Sequence, residues 1–322
     1  MRAGARRVPL PRDTWVHSRR RIGDNGSWHL AGGGGMEQQF KTHISSSHRV
    51  FDLHIRETLQ YRDLIFLLVK KTFTARYKQT ILGPVWAIVN PLLTTIVFTI
   101  IFGGLAKLTT ADIPGDFVVP GFLFYMAGNI SFGYFAATTK ATSRTFLDNR
   151  NTMGKVYYPR LVAPVASAFS QLISFGIQFA LFAVIWVVFA LTGTTDLHIT
   201  PMLALLPLAI IQMMVLSVGL GIICSAVTTK YRDLAMLVDF GLQLWRYLCP
   251  VAYGLMLVPD AWMLLYQLNP VTPIITAFRC AVFGFGYFHL GYYLLSWAVS
   301  IVVFVIGLVL FSRIERTFMD TI

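Results

Sequence analysis

Residues 161–195 read LVAPVASAFSQLISFGIQFALFAVIWVVFALTGTT, without a single Asp, Glu, Lys or Arg. A helix needs about 20 apolar residues to cross roughly 30 Å of hydrocarbon. In lipid the backbone must satisfy its own hydrogen bonds, so a run of this length reads as a transmembrane helix. Four more charge-free runs lie at 84–106, 117–139, 197–229 and 280–312, each long enough for one span. A sixth span is expected near 237–258, interrupted only by Arg246. The expected fold is therefore an all-α integral membrane protein with six transmembrane helices.

Composition points the same way. Of 322 residues, 55% are hydrophobic and 13% charged, and the mean hydropathy is +0.61. Soluble chains carry about 25% charged residues. The balance excludes an ordinary cytosolic enzyme, a secreted disulfide scaffold and a disordered protein. The net charge of +12 would suit a nucleic-acid partner if it were spread evenly. It is not: residues 1–83 hold 15 of the 27 Lys and Arg, with 6 of the 15 Asp and Glu. With the N-terminus inside, 24 basic residues fall on the cytoplasmic side and only Lys107 and Arg279 outside, while Arg246 lies in a span. The positive-inside bias then places both termini in the cytoplasm, and no nucleic-acid partner is expected.

Three regions follow. Residues 1–35 contain Arg19-Arg20-Arg21 and end in four glycines before Met36, with no periodicity and no apolar signal core. They read as a disordered basic extension, or as a stretch preceding a native start at Met36. Residues 36–83 form a cytoplasmic segment, and 84–322 the transmembrane domain. Within the segment, 52–79 reads as an amphipathic interface helix, with Leu53, Leu59, Leu64, Leu67 and Leu68 against Arg56, Arg62, Lys70, Lys71, Arg76 and Lys78. Such a helix lies in the headgroup layer with its cations near anionic lipid. It is either a plain anchor or a rigid element that meets a partner.

Chemistry-bearing motifs are missing. The chain has no GxxxxGK[ST] and no HExxH, and its spans are nearly free of acidic residues. Neither catalytic residues nor a metal site is expected, and a proton-coupled carrier, which buries carboxylates along its path, is disfavoured. Cys224, Cys249 and Cys280 show no pairing logic and read as reduced. The loops at 142–160 and 228–234 are solvated connectors, or short helices presented to a cytoplasmic partner. Segment 259–289 is apolar but broken by Asn269-Pro270 and Pro273, which fits a re-entrant helical pair between spans five and six. Arg246 either snorkels to the headgroups or meets a substrate phosphate. The second-span aromatics Phe124, Tyr125, Phe132, Tyr134 and Phe135 are either packed side chains or a stacking surface for sugars.

Several stretches resemble one family. RYKQTILGPVWAIVNP at 76–91, with Arg62-Asp63-Leu64 upstream, is similar to the start of permease subunits of type-2 ABC exporters for polysaccharides and teichoic acids. The likeness continues through KVYYPR at 155–160, YRDL at 231–234, CPVAY at 249–253, LNPVTP at 268–273 with Arg279, and ERTF at 315–318. Asn90 and Cys249 stand where Gln and Ser are more usual.

The resemblance implies a homodimeric permease in the bacterial inner membrane. Two copies of a separate ATP-binding cassette subunit would bind ATP and Mg, and no cofactor would sit in this chain. The substrate would be an undecaprenyl-diphosphate-linked glycan: O-antigen, capsular or teichoic. On this reading Arg56, Arg62, Lys70, Lys71 and Arg246 contact the diphosphate, and Phe124, Tyr125, Phe132, Tyr134, Phe135, Trp245 and Tyr247 line the channel. Arg144, Arg150, Lys155, Tyr231, Arg232 and Asp233 couple to the ATPase, and Trp262, Asn269, Pro270 and Pro273 form the exit gate. The alternatives are a permease for a drug or small lipid, and a membrane-embedded glycan-processing enzyme.

Overall fold

The computed structural model describes residues 60–78, 80–106, 119–148, 159, 161–195, 200–231, 233–284 and 286–319, with side chains at all but 229–230 and 313–319. Nine α-helices and no strand occur among the described residues.

Helix α1, Arg62–Tyr77, falls within the expected interface helix. Leu64, Ile65 and Leu68 pack on Val162 and Ala163, and Val69 is buried, yet Phe66 and Leu67 remain exposed. Its apolar residues thus point two ways, which corrects the expected one-sided amphipathic helix. A corner follows, built from Gly83 at φ +51° and a 3₁₀ turn Gly83–Val85 opened by Pro84. Only a residue without Cβ takes that φ cheaply. Helix α2, Trp86–Phe98, then runs into a π-turn, Thr99–Leu105.

Helices α4, Val162–Leu191, α5, Leu205–Lys230, and α9, Leu290–Met319, arise from the long charge-free runs. Among the described residues four stretches are long and apolar enough to cross a membrane: Gly83–Leu105, Val162–Leu191, Pro201–Thr228 and Leu290–Ser312. Helix α3, Gly121–Ser143, has 23 residues, about 34 Å at 1.5 Å per residue. It is more polar because it sits inside the protein, against α2, α4 and α5. Two of its hydroxyls bond to backbone: Ser131 donates to the Ala127 carbonyl within the helix at 2.9 Å, and Thr139 reaches the Ser217 carbonyl of α5 at 3.4 Å. Helices α5 and α9 cross where a Cβ on Gly307 would lie 2.7 Å from the Gly219 carbonyl oxygen. Small residues allow that backbone approach, as in membrane helix pairs generally.

Residues 237–258 depart from the expected single span. Helix α6, Leu234–Tyr247, has only 14 residues, about 21 Å. The chain turns at 248–250, where Pro250 cannot donate to a continuing helix. It passes a 3₁₀ turn at Leu255–Leu257 and forms two short helices, α7, Asp260–Leu268, and α8, Val271–Phe283. The broken pair expected over 259–289 is present, joined at Asn269-Pro270. Every residue of α8 is buried, including Arg279. Arg279 is therefore an interior residue rather than an outside-loop cation, and the last long helix begins at Leu290, not near 280.

Candidate functional site

Two adjoining cavities lie along α3. The inner one, about 410 Å³, is walled by the end of α1, by α2, α3 and α4, and by Arg246 in the last turn of α6. Gln171, Ser174 and Gln178 line it from α4, Asn90 and Thr94 from α2, and Asn129 and Tyr134 from α3. The spacing 171, 174, 178 puts three polar side chains on one helix face, so an otherwise lipid-like helix turns a wet stripe inward. Arg76, an exposed residue of α1, lines the cavity as well, its Nη1 donating to Gln171 Oε1 at 2.9 Å. The Arg246 guanidinium stands 5.5 Å from the Phe132 ring centroid, a cation–π contact. It lies twelve residues past Leu234 rather than near the helix start.

The outer cavity, about 510 Å³, lies between α1, α3 and α4. Lys71, Arg76, Lys140 and Arg144 line it, with Asp148 as the acidic member. Asp239 of α6 binds two of these cations, Lys140 Nζ at 2.8 Å and Arg144 Nη2 at 2.6 Å. Partial desolvation in the cleft pushes the Asp148 carboxyl up from its ordinary value, against the pull of Arg144. Its side chain nonetheless keeps an exposed face.

The expected site residues distribute unevenly. Lys71, itself exposed, lines the outer cavity and Arg246 the inner one, whereas Arg62 is largely exposed beside Asp63 at 4.0 Å and Lys70, also exposed, lines neither. Arg56, Arg150, Lys155 and Arg232 lie outside the described residues. Phe124, Tyr125, Phe132 and Phe135 are buried at 3% exposure or less. That corrects their expected placement on an open path, because close packing against neighbouring helices leaves them no free ring face. Tyr134 is buried too, but lines the inner cavity. Trp245 packs edge-on against Phe135, and Tyr247 is exposed.

At the expected gate, Asn269 is a structural knot. Its Oδ1 accepts from Trp245 Nε1 at 3.1 Å and from the Val271 amide at 3.2 Å. The Pro270 carbonyl accepts from Ser296 Oγ at 2.6 Å, Pro273 is buried, and Trp262 is exposed. Of the expected coupling residues, Arg144 is held by Asp239, and Tyr231 and Asp233 are exposed. Thr228 Oγ1 donates to the Ser143 carbonyl at 2.9 Å, which ties the roots of the two loops together.

Sequence reasoning overlooked Arg76, Gln171, Lys140, Asp239 and Arg279 as site residues. The signal for Gln171 was the polar spacing in α4. Arg279 gave none, since one cation between two charge-free runs looks like a loop residue. The fold now has a definite outline: an all-helical membrane body, a short helix before the first span, and a broken helical pair before the last. The profile of the ABC-2 type transporter family matches residues 63–283. The chain belongs to that family. Among similar proteins, the O-antigen export system permease protein RfbA of Myxococcus xanthus is 27% identical over 228 residues, 70% of this chain and 82% of that protein. A protein of the same name from Klebsiella pneumoniae is 26% identical over 261 residues, 80% of this chain and 94% of its own length. A second Klebsiella pneumoniae protein of that name is 24% identical over 262 residues. The resemblance carried by 76–91, 231–234, 249–253 and 268–273 is thereby borne out: this ABC-2 chain is a multi-pass membrane transport subunit.

Proposed function

We propose that this ABC-2 subunit exports a lipid-linked polysaccharide, O-antigen or a chemically similar capsular or teichoic glycan, across the bacterial inner membrane. Two copies would form the path, and two copies of an ATP-binding cassette subunit would bind ATP and Mg and supply the energy. The carrier lipid would be undecaprenyl diphosphate. Supporting the reading is likeness over 94% of the length of an O-antigen export permease. A charged, polar cavity inside an otherwise apolar body is what a path for a hydrophilic, phosphate-bearing cargo requires, because a charge in hydrocarbon is costly unless it faces a cavity or a partner. The loop roots joined by Thr228 and Ser143 would carry motion from the ATPase into α3 and α5.

Deleting the gene and following the glycan tests this. Loss of surface polymer, with undecaprenyl-diphosphate-linked polymer retained inside the cell, is expected, together with restoration by the gene and not by an ATPase-site mutant of the partner. Unchanged surface glycan in the deletion strain would reject the reading. Surface glycan retained alongside new sensitivity to an amphipathic drug would favour a drug or small-lipid permease.

A further inference from the structure

Neither Arg76 nor Arg246 has an ion-pair partner among the described residues, and no acidic residue appears among the inner cavity's lining residues. Arg76 keeps an exposed face and Arg246 is half-buried, so two like charges line one half-open cavity with no carboxylate of its own, and a bound anion would offset their repulsion. Arg76, Ala137 and Gln171 line the inner and the outer cavity alike. The outer cavity adds Lys71, Lys140 and Arg144, so cations exceed the nearby carboxylates Asp148 and Asp239. The two cavities form a graded route with Arg76 on the partition.

Resting on the export reading above, we infer that this cleft between α1, α3 and α4 binds the phosphate or diphosphate group of a lipid and passes it from the outer compartment to the inner one. The forked guanidinium suits phosphate oxygens. Gln171, bonded to Arg76 Nη1, fixes one edge of the fork and leaves the remaining donors for the ligand. An inner volume of about 410 Å³ is more than ten times the roughly 30 Å³ share of one water, so a diphosphate fits with part of its hydration. The hydrocarbon tail has a place as well. Trp86 lines the inner cavity, and beside it Ile81, Leu82 and Val85 are exposed. An apolar sill next to a cationic pocket favours a lipid-borne phosphate over a free one.

The test uses the full chain with its ATPase partner in nanodiscs and measures retention of three probes: undecaprenyl diphosphate without glycan, phosphatidylglycerol, and inorganic diphosphate. Arg76→Gln and Arg246→Gln should each weaken binding of the lipid diphosphate by about tenfold or more, the scale of a lost charge-assisted hydrogen bond. Lys78→Gln, an exposed cation just beyond α1, should leave it unchanged. Ala137→Phe, which fills the shared wall without altering charge, should also weaken it and guards against a folding artefact in the arginine variants. Equal, Arg76-dependent retention of phosphatidylglycerol would assign the cleft to bilayer phospholipid; the phosphate site would stand and its link to export would fall. Binding by folded, monodisperse Arg76→Gln, Arg246→Gln and Ala137→Phe proteins at the wild-type level would overturn the site, whatever the gene deletion does to surface glycan.

Discussion

Asp239 in the middle of α6 accepts the Arg144 guanidinium from the end of α3 at 2.6 Å, and the same carboxylate oxygen takes Lys140 Nζ at 2.8 Å. One acid thus holds two cations that are a single helical turn apart, and without it they would repel. Asp239→Asn should lower stability by roughly 1–3 kcal/mol, between the worth of an exposed pair and the cost of stranding buried charge. In detergent this is a downward shift of several degrees in apparent melting temperature. Lys140→Gln should cost less, under about 1 kcal/mol, because its side chain is half exposed and the Arg144 bond survives. An Asp239→Asn protein that melts with the wild type would refute the clamp.

Gly128 on α3 decides how closely the broken helical pair can dock. A Cβ there would sit 2.5 Å from Arg279 Nη2 and 2.7 Å from the Val251 carbonyl oxygen. The second neighbour is backbone in a tight turn and cannot swing away. Gly128→Ala should destabilise by about 1–3 kcal/mol through overpacking. Gly133→Ala, five residues on in the same helix, meets nothing within 4 Å and should be neutral or stabilising by up to about 1 kcal/mol from helix propensity. Thermal melts of the two purified variants make the comparison, and equal losses would contradict the docking geometry.

Arg279 is the other half of that contact. Its guanidinium donates to the Val251 carbonyl at 2.7 Å and reaches those of Tyr253 and Phe124 at 3.4 and 3.5 Å. It also lies 3.7 Å over the Phe124 ring. A lysine cannot fork across several carbonyls and a ring together. Arg279→Lys should therefore lose most of what Arg279→Met loses, about 2–4 kcal/mol, since buried carbonyls are left unpaired in both. Proteolysis within 248–259 should accelerate in step. A lysine variant as resistant as wild type would show that charge alone holds the turn.

How far the molecule was legible beforehand depends on what surrounds each helix. Runs facing lipid on one side, such as 161–195 and 197–229, must be apolar to exist there, so hydropathy finds Val162–Leu191 within four residues and the end of Leu205–Lys230 within one, though it starts the latter eight residues early. Helix α3 faces protein, where Asn129, Ser131 and Thr138 are tolerated, and the same exchange of lipid for protein packs Phe124, Tyr125, Phe132 and Phe135 away while Tyr134 alone of the five expected aromatics reaches the inner cavity. Hydropathy does not separate these two surroundings. Nor does it see length interrupted by a turn, so 237–258 read as a span although Cys249-Pro250 ends the helix. The cavity cations were half legible. Lys71 and Arg246 stood out as basic residues, but the convergence of Arg76 with Gln171, 95 positions later, exists only in the packed structure.

Asp148 gives a prediction with a sign. It is the acidic residue lining the outer cavity with Lys71, Arg76, Lys140 and Arg144, and desolvation holds its carboxyl above the ordinary value. Ionised, it opposes an incoming phosphate; protonated, it does not. Because the shift is upward, its charge is lost at a higher pH than that of a free aspartate. Retention of phosphatidylglycerol, whose phosphodiester stays charged over this range, should tighten as pH falls toward the raised value. Asp148→Asn should bind severalfold tighter at neutral pH, the scale of one screened charge interaction in a partly open cleft, and should flatten the pH dependence. The check is a retention titration on both proteins in matched nanodiscs. An Asn variant that keeps the wild-type slope, or binds more weakly at neutral pH, would remove Asp148 from the electrostatics of the cleft.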